Sequence, residues 1–123
     1  MGEFSDADQL LLAQLIEAES EGESFEGKVA VGAVVMNRLR HPDFPPTIEE
    51  IIYQPGQFQC VQNGALAKIQ EPKEESLLAA KEALAGEDPT DGSLFFFNPS
   101  KITGSWFWRR PVAAKIGQHV FVR

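Results

Sequence analysis

The chain has 123 residues, 43% hydrophobic and 24% charged, with a formal net charge of −7. That length is one domain, able to hide roughly two-thirds of its unfolded surface without a metal or disulfide staple; the single cysteine, Cys60, excludes an internal disulfide framework. The acidic balance argues against nucleic-acid or anionic-membrane partners, which need clustered Lys and Arg, and no window approaches the roughly 18 unbroken apolar residues of a membrane span.

The opening "MGEF" reads as an added or disordered start over residues 1–5, ahead of a single domain over 6–123, with no basic-then-apolar leader. From Asp6 to Ser20 the apolar residues recur with helical spacing, with Ser5 or Asp6 as the N-cap and Gly22 as the stop. The run from Gly27 to Arg40, "VAVGAVVM" closing on "NRLR", is apolar nearly all round and predicts a buried helix. "HPDFPP" is a rigid loop, because its prolines cannot continue a helix. "TIEE" at 47–50 has the form of a capping box and predicts a short helix through Tyr53, followed by a turn at "QPGQFQC". Residues 73–85 predict an amphipathic helix with Leu77, Ala80 and Leu84 inward and Gly86 as its stop. "LFFF" and "QHVFVR" read as strands separated by the loop "NPSKITGSWFWRRP". The fold class expected is α+β, mostly helical with a small β element near the C-terminus.

The stretch "EAESEGE" at 17–23 carries four glutamates. Counted from Leu12, the positions sharing one helical face are Leu15, Ile16 and Glu19, so Glu19 continues the core-facing stripe. Glu17 and Glu21 point to the polar side as solvated charges. A carboxyl against apolar packing is disfavoured in its charged form, which is the condition a general acid needs. The alternative is a helix that frays after Ala18 and leaves Glu19 in water.

Other candidates carry less information singly. "GQFQ" at 56–59 and "FNP" at 97–99 set amides beside aromatic rings, equipment for gripping sugars, and are equally ordinary turn-makers. "WFW" at 106–108 is either a binding platform or core. His119 defaults to a packing histidine and Cys60 to a small buried apolar residue. His41, His119 and Cys60 are too few and scattered for a zinc set, so neither metal nor cofactor is expected. No Ser/His/Asp ordering or glycine-rich phosphate loop stands out.

The block "LLAQLIEAESEGESFEGKVAVGAVVMNRL", with "GQFQ", "LFFFNP" and "WFWRRPVAAKIGQHVFVR", resembles the spore-cortex-lytic cell wall hydrolases of the SleB/CwlJ type, in order over residues 8–121. The resemblance implies a fold similar to lytic transglycosylases and goose-type lysozyme. It also implies action on peptidoglycan glycan strands at the N-acetylmuramic acid–N-acetylglucosamine bond, outside the cytoplasm, in spore cortex or cell wall. The family's catalytic acid falls on Glu19. The Gly-Glu pair falls on Gly22 and Glu23, the next step on Phe25-Glu26-Gly27, and the helix end on Asn37-Arg38. Cleft-lining motifs fall on Gly56, Gln57, Phe58, Asn98 and Pro99, with Gly117 and His119 in the C-terminal motif. Phe97 and Trp106 are the accompanying aromatics. This chain departs from the pattern at Ser20-Glu21, where Ala-Arg is common, at Phe25, where Tyr is common, and at Phe97, which lacks the hydroxyl expected before the Asn-Pro step.

Under that resemblance Glu19 is the single acid and base of a lytic transglycosylase. Glu23, Gln57, Phe58, Phe97, Asn98, Trp106 and His119 contact the glycan. The rivals are a hydrolytic muramidase with Glu23 as base, an inactive glycan-binding module and a structural domain. A monomer is expected, with a separate peptidoglycan-binding domain or regulator in any longer protein.

Overall fold

The computed structural model describes residues 4–102 and 104–123. Of the start expected over 1–5, residues 1–3 therefore lie outside the described residues. Ser5 is the N-cap of α1 (Asp6–Glu19): its hydroxyl accepts from the Asp8 N–H, and the Asp8 carboxylate accepts from the Ser5 N–H. This reciprocal box satisfies two donors that a helix start otherwise leaves unpaired. Gly22, at φ +84°, turns the chain toward α2 (Phe25–Leu39), which Ser24 caps through the Gly27 N–H.

Helix α2 is buried on nearly every side, as its composition predicts. It can be so because Gly32 admits its neighbours: a Cβ there would lie 2.8 Å from the Ala83 Cβ and 3.1 Å from the Ile16 Cδ1. Thr47 opens α3 (Ile48–Ile52); its hydroxyl accepts from the Glu50 N–H and donates to the Glu50 carboxylate, 2.8 Å away. The turn after Tyr53 ends sooner than the sequence suggests. Gln59 and Cys60 already belong to α4 (Gln59–Gln62), and α5 (Ala65–Lys68) follows. Neither is long enough to show a helical period, so only packing against α1 identifies them.

Helix α6 (Glu74–Leu84) lies across α1 and α2. Its buried face is Ser76, Ala79, Ala80 and Ala83, while Leu77 and Leu84 are only partly covered. The inward stripe is thus rotated from the one expected, because the close approach to Gly32 requires small side chains. Glu17 is a second correction. It is not a solvated charge: its carboxylate accepts from the Lys73 N–H at 2.6 Å and the Ser76 hydroxyl at 3.2 Å, capping α6 from α1. Glu21 is exposed as expected.

Three antiparallel strands form a sheet in the order β1-β3-β2, with β1 at Phe95–Phe97, β2 at Val112–Ile116 and β3 at His119–Val122. β2 was not apparent in "VAAKI"; its strand state comes from pairing with β3, with a register break between Val112 and Ala114. Side chains alternate across the sheet. Phe96 and Phe121 face Ala30 and Val34 of α2, whereas Phe97, Val120 and Val122 face Phe107 and Ile102 of the 98–111 segment. That segment therefore covers the outer face and holds 3-10 turns at Pro99–Lys101 and Phe107–Arg109. The architecture is the mostly helical α+β fold expected. No helix among the described residues is long and apolar enough to cross a membrane.

Candidate active site

Glu19 is the last residue of α1, so the helix does not fray at Ala18. Its stripe-mates Leu12, Leu15 and Ile16 are fully buried, while Glu19 itself is half-buried where the stripe meets a cleft. The helix end is held firmly. The Ser20 hydroxyl and N–H both donate to the Ile16 carbonyl. The Lys28 ammonium, from α2, donates to the Ser20 carbonyl at 3.0 Å and the Glu23 carbonyl at 2.9 Å, and pairs with Glu75 at 3.4 Å. A cation at a helix C-terminus also answers the carbonyl end of the helix dipole.

The cleft has two lobes that meet at Glu19. One, of about 220 Å³, is walled by Arg38, Gln57, Phe58, Phe95 and Trp106. The other, of about 410 Å³, is walled by Gln59, Asn63, Phe97, Asn98, Lys101 and His119. Glu19, Gln57, Phe96 and Phe107 belong to both. An extended polymer laid through both lobes would pass the Glu19 carboxyl where they meet, among aromatic rings and side-chain amides.

Of the residues singled out in the sequence, Gln57, Phe58, Phe97, Asn98, Trp106 and His119 all line this cleft with Glu19. Their parts differ. Phe58 and Phe97 are buried walls, whereas Trp106 is half exposed. Of "WFW", Phe107 is the anchor, stacked on Phe97 at 4.9 Å, and the tryptophans flank it. Both ends of the Asn98 amide are engaged within the protein: its oxygen accepts from the Ser100 N–H and hydroxyl, and its nitrogen donates to Gln118. Phe25 lies elsewhere, against a separate cavity with Glu26 and Glu82, so the hydroxyl missing there is not missing from this cleft.

Glu23 does not line either lobe. Its Oε1 accepts the Gln118 N–H at 3.1 Å, in the turn between β2 and β3. Gly117, at φ +58°, lets the turn close over that oxygen, since a Cβ there would come within 2.1 Å of it. Glu23 thus ties the α1–α2 turn to the β-hairpin. His119 follows, buried, edge-on to Phe96 at 5.1 Å and with its Nδ1 unpartnered. Burial lowers its pKa, against the opposing pull of the nearby Glu23 and Glu19 carboxylates.

Three contributors were missed in the sequence. Cys60, read as merely apolar, has its thiol beside the Glu19 carboxylate; burial first, then the charge and hydrogen bonding of Glu19, push it up to about 12. Lys28 was lost inside an apolar run. Arg38, noted only as a helix end, is 3% exposed and forms the floor of the smaller lobe. The periodicity that picks out Glu19 would have found it, because Val31, Val34 and Val35 lead to Arg38 at helical spacing.

Residues 22–122 match the family profile described as Cell Wall Hydrolase. A spore cortex-lytic enzyme of Bacillus subtilis is 40% identical over 120 residues, covering 98% of this chain and 39% of its own length. The cell wall hydrolase CwlJ of Bacillus subtilis is 36% identical, covering 94% of this chain and 84% of its own. The chain thus spans about two-fifths of the first relative and most of the second. Among solved structures, the catalytic domain of the germination-specific lytic transglycosylase SleB from Bacillus anthracis superposes with a TM-score of 0.91 at 36% identity, covering 100% of this chain and 99% of that one. The catalytic domain of the Bacillus cereus SleB protein gives a TM-score of 0.92 at 37% identity, covering 100% and 94%.

Proposed function

The chain belongs to the cell wall hydrolase family, and we propose that it cleaves peptidoglycan as a lytic transglycosylase at the bond between N-acetylmuramic acid and N-acetylglucosamine, outside the cytoplasm. The observation that carries this reading is the position of Glu19, the one carboxylate shared by both lobes of a cleft walled by amides and aromatic rings. Aromatic faces suit the apolar face of a pyranose, and amides suit its acetamido and hydroxyl groups.

Glycoside cleavage commonly uses two carboxylates. Here no other acid lines either lobe among the described residues, and Glu23 is committed to the hairpin turn. The substrate then supplies the second group. Protonated Glu19 donates to the glycosidic oxygen as the bond to C1 of the muramic acid breaks, and the sugar's own acetamido oxygen stabilises the cationic carbon. Glu19, now a carboxylate, takes the proton of the C6 hydroxyl as that oxygen attacks C1. A 1,6-anhydro ring forms, and Glu19 ends protonated as it began. Neither a metal nor an organic cofactor enters the step.

The Glu19→Gln variant tests it, since it keeps shape and hydrogen bonding but cannot deliver a proton. Muropeptide release from purified sacculi should fall about 100-fold or more, with sacculus binding retained. Wild-type products should carry anhydro-muramic ends. Reducing ends would favour water as acceptor, and undiminished release by the variant would remove Glu19 from the mechanism.

A further inference from the structure

We propose that Arg38 is a positioning residue for the cleft: it grips the Gln57 side-chain amide by its oxygen, so that Gln57 turns its N–H donors to the glycan. This deepens the glycosidase reading and rests on it.

A buried guanidinium normally has an anion beside it. Among the described residues Arg38 forms no ion pair. Its charge is met instead by the faces of Phe44, Phe58 and Phe95, at 5.1, 5.1 and 5.0 Å from the guanidinium carbon. Its Nε donates to the Leu94 carbonyl at 2.8 Å, and its Nη1 donates to Gln57 Oε1 at 3.2 Å. A guanidinium has no acceptor, so whichever amide atom it holds must be the oxygen. That leaves the Nε2 end free on a residue that is itself exposed and lines both lobes beside Glu19.

Burial lowers Arg38, but only to about 10, so it stays charged and the grip holds over any working pH. A lysine in its place could not both stack flat among three rings and fork to two oxygens. The consequence is chemical selection. An amide held by its oxygen with its N–H2 forward favours an acceptor, and the N-acetyl carbonyl oxygen is an acceptor that every N-acetylated sugar of the glycan carries.

The test is steady-state kinetics on soluble N-acetylated glycan fragments, with the Kd of N-acetylated and chemically de-N-acetylated fragments measured beside it because the acetamido-assisted step cannot run on the latter, for wild type, Gln57→Ala, Gln57→Glu, Arg38→Lys and the double variant Arg38→Lys/Gln57→Ala. Gln57→Ala should raise KM about tenfold, the worth of one hydrogen bond, with kcat changed less. Arg38→Lys should raise KM similarly, and the double variant should be no worse than either. All should lose the wild-type preference for N-acetylated fragments in Kd. Gln57→Glu should be worse than Gln57→Ala, because it turns acceptors toward an acceptor. Multiplicative losses, or an Arg38→Lys defect that leaves the preference intact, would overturn the proposal in favour of a purely structural arginine. If Arg38→Lys does not melt cooperatively, the two Gln57 variants decide alone: wild-type KM in both overturns it. Absence of wild-type turnover on the N-acetylated fragments would overturn the glycosidase reading, and this one with it.

Discussion

Glu19 and Arg38 are the polar ends of two otherwise apolar stripes, one on α1 and one on α2, and both terminate at the same cleft. A charge on such a stripe is costly unless something answers it. For Arg38 the answer is three aromatic faces and two oxygens. Beside Glu19 lies the Cys60 thiol, held far above its ordinary range. The thiolate is the reactive species, so Cys60 is predicted to be inert in the folded protein. Iodoacetamide at pH 8 followed by intact-mass measurement should show no adduct natively and a single one in guanidinium. Rapid native labelling would contradict the environment assigned to that thiol.

At the scale of elements, the α1, α2 and α6 layer depends on small residues and on one cap supplied from a neighbour. Placing a Cβ at Gly32 would force α2 away from α6, since Ala83 Cβ lies 2.8 Å away and cannot swing aside. Gly32→Ala is therefore expected to destabilise the domain by about 1–3 kcal/mol despite its better helix propensity. Ala83→Gly in the same chain should recover part of that loss in urea titrations. Glu17 offers a separate check. Lys73 has no cap of its own, and the Glu17 carboxylate serves in its place. Glu17→Ala should cost about 1 kcal/mol, as loss of a cap does. A change indistinguishable from zero would show the bond to be incidental.

For the whole molecule, two groups couple stability to acid. His119 is buried with its pKa lowered below the ordinary 6.5, so the unfolded chain takes up a proton more readily than the folded one. Its contribution is present in full above about 6.5 and is lost as pH falls through the lower folded value. For Asp88, burial opposes the charge, but hydrogen bonds from Thr90, Asn37 and Gly92 outweigh it and hold the carboxyl below its ordinary 3.8. Its contribution is lost in turn as pH falls below that value. Urea midpoints measured down a pH series should decline first below about 6.5 and again below about 3.8. His119→Gln should flatten the first decline and leave the second.

Much of the chain was legible without coordinates because caps, stops and periodicity act within a few residues. Ser5, Gly22, Thr47 and Gly86 mark boundaries by local backbone chemistry, and the stripe from Leu12 to Glu19 follows from helix geometry alone. Several of the residues that line the cleft, Glu19, Gln57, Phe58 and Asn98 among them, could also be named through their motifs, whereas Arg38 and Cys60 could not. What only the tertiary structure decided is what meets what. β2 exists because β3 is there to pair with it, α6 turns its alanines inward because Gly32 lets a backbone come close, and Glu17 becomes a cap because Lys73 lacks one. Glu23 looked like a rival base while its partners were unknown, and it proves to bind a hairpin turn 95 residues away in sequence. Local rules set each side chain's direction from its own element; long-range packing sets its neighbours, and neighbours determine whether a carboxylate faces a cleft, caps a helix or ties two elements together.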